Sequence, residues 1–456
     1  MNNLEIDKRF PKLNPSAWKQ MIQFQLEGED YAQQMIFHSL EGIDIKPFYT
    51  EEDLKQSIDF PKTDWSIEES IAVYQDVEAN KLALEAINFG AESIHFKVFS
   101  PDCNFNLLVE GIDFNTVKVH LSLQQLSEEL INRIVSSKLK QVVFSIDPLS
   151  KFYVTGNWYV NQKSDLKLLT TFLELSERDF NVCLELDNYS ISEAGANTVY
   201  QIALVLAHLA EYLHNFEAEN KLHLIKRIVI RLGVGTNFFF EIAKVRALRL
   251  LLPSLLEAFQ LKASYLLSSK TSSRYYSAYN SVQNLVRSSN SLLSSVLSTA
   301  DSISGIAHDS LIQNSNKSSN RLIRNQLLLL KNEAGLNKHQ DAANGSYYIN
   351  YLTEQFSQKA LGIFKLIEKN QGFLFQLKNG SIQKEIEKQH LKELELYKSN
   401  KEVLIGATAY KDKSERLKKV AERKPFLVKK SRKTVIIPIV KRRIATYWEV
   451  KRWNHE

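Results

Sequence analysis

Short β-branched runs that alternate with long amphipathic stretches constrain this chain more than any other feature of its sequence. The runs fall at 93–98, 117–121, 141–146, 182–186, 225–232 and 263–267, with helical patterns at 69–90, 122–137, 165–175, 192–213 and 237–259. Strands separated by helices are parallel βαβ units, because a parallel return needs a crossover over one face of the sheet. Six such strands, joined by one or two later ones, fit an α/β architecture closed as a (β/α)8 TIM barrel better than an open sheet. The run 403–407, Val-Leu-Ile-Gly-Ala, supplies a late strand. The serine-rich stretch 264–319 carries Leu285, Leu292, Leu293, Val296 and Leu297 as one apolar stripe and reads as helical. Strong helical patterns follow at 320–333, 348–369 and 385–397.

The two ends read differently from the middle. Trp18, Ile22, Phe24, Leu26 and Tyr31 recur at roughly helical spacing after Asn14 as N-cap and Pro15 in the first turn, which predicts an amphipathic helix over 15–34. An extended stretch with Pro47 follows, so residues 1–60 form an arm outside the barrel, which occupies 61–410. Residues 411–456 hold 16 Lys+Arg against 5 Asp+Glu, whereas the whole chain has 58 against 52, so a mildly acidic body carries a basic extension. Within the extension, the apolar run 434–440 contains Pro438, which predicts an edge strand or extended segment lying on protein. The acidic body argues against a broad nucleic-acid surface, and neither nucleic acid nor a membrane is expected as partner.

The chain is 44% hydrophobic, which excludes disorder. Its two cysteines, Cys103 and Cys183, stand far apart and form neither a disulfide framework nor a thiolate metal motif. With no signal-peptide pattern at Met1 and no stretch of about 18 uncharged apolar residues, the expected compartment is the cytoplasm. The phosphate-binding, dinucleotide-binding, zinc-protease and nucleophile-elbow signatures are all missing, and no two histidines stand at ligand spacing. His208 and His214, six apart, fall on different helix faces.

One loop carries more information. Asn188-Tyr-Ser-Ile-Ser-Glu-Ala-Gly-Ala-Asn197 follows a strand and opens a helix, where a barrel enzyme keeps catalytic residues. It resembles the Gly-Tyr-His-Met-Gln-Glu-Ala-Gly-Ala signature of coenzyme B12-dependent methylmalonyl-CoA mutases. Further stretches agree in order: residues 41–50, Arg231 to Arg246 with its Asn-Phe-Phe-Phe-Glu-Ile-Ala-Lys core, 321–326, 344–349 and 403–407. The resemblance covers roughly residues 15–410. It implies a substrate-binding barrel, followed in the family by a cobalamin-binding flavodoxin-like domain.

The departures from the family pattern are as specific as the matches. The family's catalytic histidine corresponds to Ser190, and the glutamine two residues on to Ser192. Aligned on Trp65, the family's two CoA-binding arginines correspond to Thr63 and Glu68, and its tyrosine over the reacting carbon to Ser70. Glutamate in place of arginine turns attraction for a polyphosphate into repulsion. The cobalt-ligating Asp-x-His-x-x-Gly signature does not occur in these 456 residues, so the cobalamin domain is expected to be absent. The resemblance therefore implies a non-catalytic small (beta) subunit that binds no cofactor itself. Its heterodimeric partner, a large (alpha) catalytic subunit, would hold adenosylcobalamin and interconvert L-methylmalonyl-CoA and succinyl-CoA in propionate metabolism. The alternative is a stand-alone barrel with another activity or binding role, using carboxylates such as Glu185, Asp187 and Glu193 near a strand's C-terminal end.

Overall fold

The computed structural model describes residues 14–54, 58, 60, 64–314, 316–338, 341–426 and 432–456; Thr63 lies outside this set. Eight parallel strands close into a barrel: β1 Ser66–Val73, β2 Ser93–Val98, β3 Lys118–Leu123, β4 Val143–Ile146, β5 Asn181–Asp187, β6 Arg227–Val234, β7 Ser264–Thr271 and β8 Ser302–Ser304, with β8 pairing back onto β1. The (β/α)8 architecture is thus the one the alternating pattern predicts.

The outward faces of these strands are mostly apolar, with Ile94, Phe96, Leu121, Phe144, Leu184, Ile230 and Leu267 buried beneath the helices. Helix α1, Pro15–Gln25, precedes the barrel; α2 Asp76–Asn88, α3 Glu128–Ser137, α4 Gln162–Leu173, α5 Thr198–Ala218, α6 Phe238–Ala258, α7 Gln283–Leu297 and α8 Lys317–Leu328 belong to it. Beyond them come α9 Tyr347–Lys369, α10 Ser381–Lys398 and α11 Thr446–His455. Helix α5 is buried almost all round, since α9 covers the side that faces away from the sheet.

Four sequence expectations need correction. The helix expected over 15–34 is two, Pro15–Gln25 and Tyr31–Met35. The pattern at 69–90 is not one helix: residues 66–73 form β1, and α2 starts at Asp76. Only part of 264–319 is helical, because β7 and β8 flank α7. The run 403–407 forms no barrel strand but a turn closed by one bridge, Ile405 to Ala409; Leu404 and Ala407 pack on Ile444 and Ala445.

The arm divides into two parts. None of the residues of α1 is buried, and Trp18, Met21 and Phe24 are 38%, 53% and 86% exposed. The following segment, by contrast, is anchored: Ile43 joins the main core, and Tyr49 packs against Tyr348 and Tyr351 of α9. The run 434–440 is an extended segment lying on this barrel. Its backbone N–H groups at Val435 and Ile439 donate to the carbonyls of Gly156 and Tyr153, and Ile436 and Ile439 enter the core while Ile437 faces solvent. Gly156 permits this contact, having φ +80 and room for no Cβ: one would meet the Ile436 carbonyl at 2.8 Å.

Candidate functional site

The residues that face into the barrel set its chemistry. Register places Ser70, His95 and His120 in one inward row and Ala72, Lys97 and Ser122 in the next, while Arg231 pairs with Ser268 and Gly233 with Lys270. Barrel interiors are ordinarily filled by Val, Ile and Leu. This bore is filled instead by charge and hydroxyls.

At its centre the Arg231 guanidinium donates to both Glu68 carboxylate oxygens, at 2.9 and 3.0 Å, and to Ser268 Oγ at 2.8 Å. Ser268 and Ser302 donate to the same carboxylate. The second arm of the guanidinium donates to His120 Nδ1 at 2.7 Å. Arginine only donates, so Nδ1 must accept, which places the imidazole proton on Nε2 and directs it at Ser145 Oγ. Ser145 in turn donates to Glu185, which also accepts from Ser122. These side chains form one continuous plug across the bore.

Burial and charge act together on these groups. Desolvation, followed by the Arg231 charge, pushes the His95 and His120 pKa values well below the ordinary value, so both rings are neutral. Desolvation raises the Glu185 carboxyl even though Arg231 and the two serines oppose it. Burial works against the Arg231 charge, but Glu68 and Glu185 outweigh it, and the guanidinium pKa is raised.

Glu68, its carboxylate held by Arg231, is therefore an internal counter-ion. Ser70 accepts from Lys270 Nζ at 3.1 Å and lies 3.3 Å from His95 Nδ1. Ser190 and Ser192 sit at the rim on the short helix Tyr189–Ala194. The Ser190 hydroxyl donates to Asp187 at 3.0 Å, and Ser192 fills the space over Gly233, where a Cβ would meet its Oγ at 2.6 Å. Glu193 accepts from Ser272 Oγ, Ser273 N and Ser273 Oγ. Gly195 ends this turn at φ +105, with the Arg274 guanidinium 2.9 Å from where its Cβ would be. Glu68 and Ser70 thus belong to the central plug, whereas Ser190 and Ser192 stand above it.

Other matched motifs are structural. Arg246, fully buried, donates from one nitrogen to both Asp341 oxygens, at 2.5 and 2.7 Å, and Arg324 clasps Glu69. The C-terminal segment crosses the rim itself: Arg442 N donates to the Glu193 carbonyl, Ile444 N to the Arg274 carbonyl, and the Lys441 ammonium lies 5.1 Å from the Tyr189 ring centroid.

Sequence reading did not single out Arg231, His95, His120 or Lys270 as a group. Their signal is polar residues at every second position of β2 and β3 and at many of the alternate positions of β1, β6 and β7, which only the strand assignment reveals.

Comparison with known proteins agrees with this geometry. The methylmalonyl-CoA mutase family profile matches residues 106–449. The methylmalonyl-CoA mutase small subunit of Porphyromonas gingivalis is 28% identical over 439 residues, covering 88% of this chain and 70% of that protein. The methylmalonyl-CoA mutase of Rhizobium meliloti is 24% identical, covering 84% and 62% respectively; the human mitochondrial enzyme is 24% identical, covering 86% and 60%. The chain therefore spans 60% of the human protein's length and 70% of the small subunit's. A match over most of the chain, on a barrel whose loops carry the shared motifs, places it: the chain belongs to the methylmalonyl-CoA mutase family.

Proposed function

We propose that this chain is the non-catalytic small subunit of a heterodimeric, adenosylcobalamin-dependent methylmalonyl-CoA mutase. The large subunit would bind both substrate and cofactor and interconvert L-methylmalonyl-CoA and succinyl-CoA in the cytoplasm. The observation that carries this reading is the Glu68–Arg231 plug. A CoA thioester lying along the bore would have to displace a buried ion pair and its attached hydroxyls, and would meet a carboxylate where phosphate needs an arginine. The bore does not fit an imidazole-ligated corrin either, because His95 and His120 are held by Ser70, Arg231 and Ser145 inside the plug. Ser190, bonded to Asp187, offers no imidazole at the rim.

What the chain supplies is a surface. Helix α1 presents Met21 and Phe24 to solvent beside Trp18, which packs edge-on against Phe48 and is 38% exposed, the arrangement expected of anchors for another subunit. Co-expression with the large family member from the same genome tests this. A stable pair with mutase turnover is expected, with none from this chain alone. Deleting residues 1–30 should dissociate the pair while leaving the barrel's Tm within about 2 °C, since no described residue of that segment is buried. Turnover by the isolated chain, or an intact pair after the deletion, overturns this reading.

A further inference from the structure

The rim above the plug has hydrogen-bond donors without acceptors. Lys270, near the end of β7, makes one hydrogen bond, to Ser70 Oγ, so two of its three N–H groups have no acceptor. Ser70 Oγ accepts from Lys270 and lies 3.3 Å from His95 Nδ1, so the ring's Nε2 takes no part in that contact. That nitrogen is buried and has no partner. Ser304 stands beside Lys270 in the β7–β8 register; it is 1% exposed and its hydroxyl is also unpartnered.

Two more ammonium groups converge on the same place. Lys97 is the next inward residue after His95 on β2, and Lys441 shares the Tyr189 ring with Lys270, at 5.1 and 5.8 Å from its centroid. Burial, then the Lys97 and Lys441 charges, pushes the Lys270 pKa down to about 8. Among the described residues, none of the three lysines has a carboxylate within 4 Å. The nearby carboxylates are already committed: Glu68 to Arg231, Asp187 to Ser190, Glu193 to Ser272 and Ser273.

We propose that the C-terminal mouth of the barrel is a small-anion site, in which Lys97, Lys270 and Lys441, with the Ser304 hydroxyl and the Nε2 side of His95, hold a carboxylate or phosphate group above the Glu68–Arg231 plug. Like charges brought together in a partly buried place repel one another unless a counter-ion lies between them, and oxygen anions accept several N–H and O–H donors at once. The plug closes the bore below and the C-terminal segment covers the rim, so the ligand is compact rather than a whole CoA ester. Because Lys441 comes from the C-terminal segment, the anion would tie that segment to the barrel. The site does not depend on a partner subunit.

Titration calorimetry on the full chain at pH 7.0, with sodium malonate in one series and inorganic phosphate in another, tests the proposal. Saturable one-site binding with Kd below about 1 mM is expected for at least one anion; stronger malonate binding would identify a carboxylate ligand and stronger phosphate binding a phosphate ligand. Lys441→Gln on the exposed rim and Lys270→Met inside should each weaken binding about tenfold or more, whereas Lys163→Gln, an exposed lysine on α4, should not change it. Absence of saturable binding for both anions overturns the proposal, as does unchanged affinity in Lys441→Gln. Equal weakening by Lys163→Gln would reduce the effect to net charge and overturn it as well.

Discussion

Glu68 and Arg231 decide what the bore of this barrel can be. A buried ion pair is worth little against a well-packed apolar pair, yet removing one partner strands an uncompensated charge. Arg231→Met is expected to lower the unfolding free energy by about 3–5 kcal/mol, because Glu68 would keep only the Ser268 and Ser302 hydroxyls as partners. Replacing both residues, Glu68→Leu with Arg231→Met, should recover much of that loss. A double-mutant cycle by denaturant unfolding checks the coupling. Additive losses would mean that the pair does not act as the unit its geometry describes. Sequence alone picks out Ser70, Ser190, Ser192 and Glu68 only as departures from motifs that the chain resembles. It does not pick out their partners, since Glu68 and Arg231 lie 163 residues apart and nothing in either local sequence names the other.

At the scale of elements, the C-terminal extended segment makes the sharpest test, because alternate residues of one short run have opposite environments. Ile436 and Ile439 are each 5% exposed and belong to the main core, while Ile437 is 66% exposed. Ile439→Asp should cost several kcal/mol, by loss of apolar burial and desolvation of a carboxylate, whereas Ile437→Asp should stay within about 0.5 kcal/mol. Thermal unfolding of the two variants checks the ranking, and equal effects would place the segment elsewhere. That the run would lie extended on protein was legible from Pro438 and its apolar core. Which residues face inward was not, because pairing with Gly156 and Tyr153 sets the register. Strand β1 shows the same limit more strongly. Its sequence, Ser-Ile-Glu-Glu-Ser-Ile-Ala-Val, has polar residues at inward positions, so it reads like the start of an acidic helix. Apolar alternation identifies a strand only when the inner face is dry. Strand β8 has three residues, two of them serines, and offers no pattern at all.

The molecule as a whole keeps several histidines neutral inside it, and that makes its stability depend on acid. His95 and His120 lie in the plug with pKa values well below the ordinary 6.5. His390 on α10 is 8% exposed; its Nδ1 accepts from Arg274, and burial together with the Arg274 and Arg442 charges pushes its pKa down to about 3. In the unfolded chain all three would titrate near pH 6.5. Above that pH neither state is protonated and the histidines contribute no pH dependence. Below it the unfolded chain takes up protons that the native state refuses, so stability falls as pH falls, by up to about 1.4 kcal/mol per pH unit for each histidine. Glu185 and Glu69, whose native pKa values are raised by burial, act in the opposite sense, because the native state takes up their protons at a higher pH than the unfolded chain does. Replacing one histidine isolates its share of the slope from that of the carboxylates. Denaturant unfolding from pH 6.5 to 5.5 should show stability declining with acid, and His390→Gln, which keeps a side chain able to accept from Arg274, should make the decline shallower by about one histidine's share. Equal slopes for the two proteins would mean that His390 is protonated in the native state and that Arg274 does not donate to it.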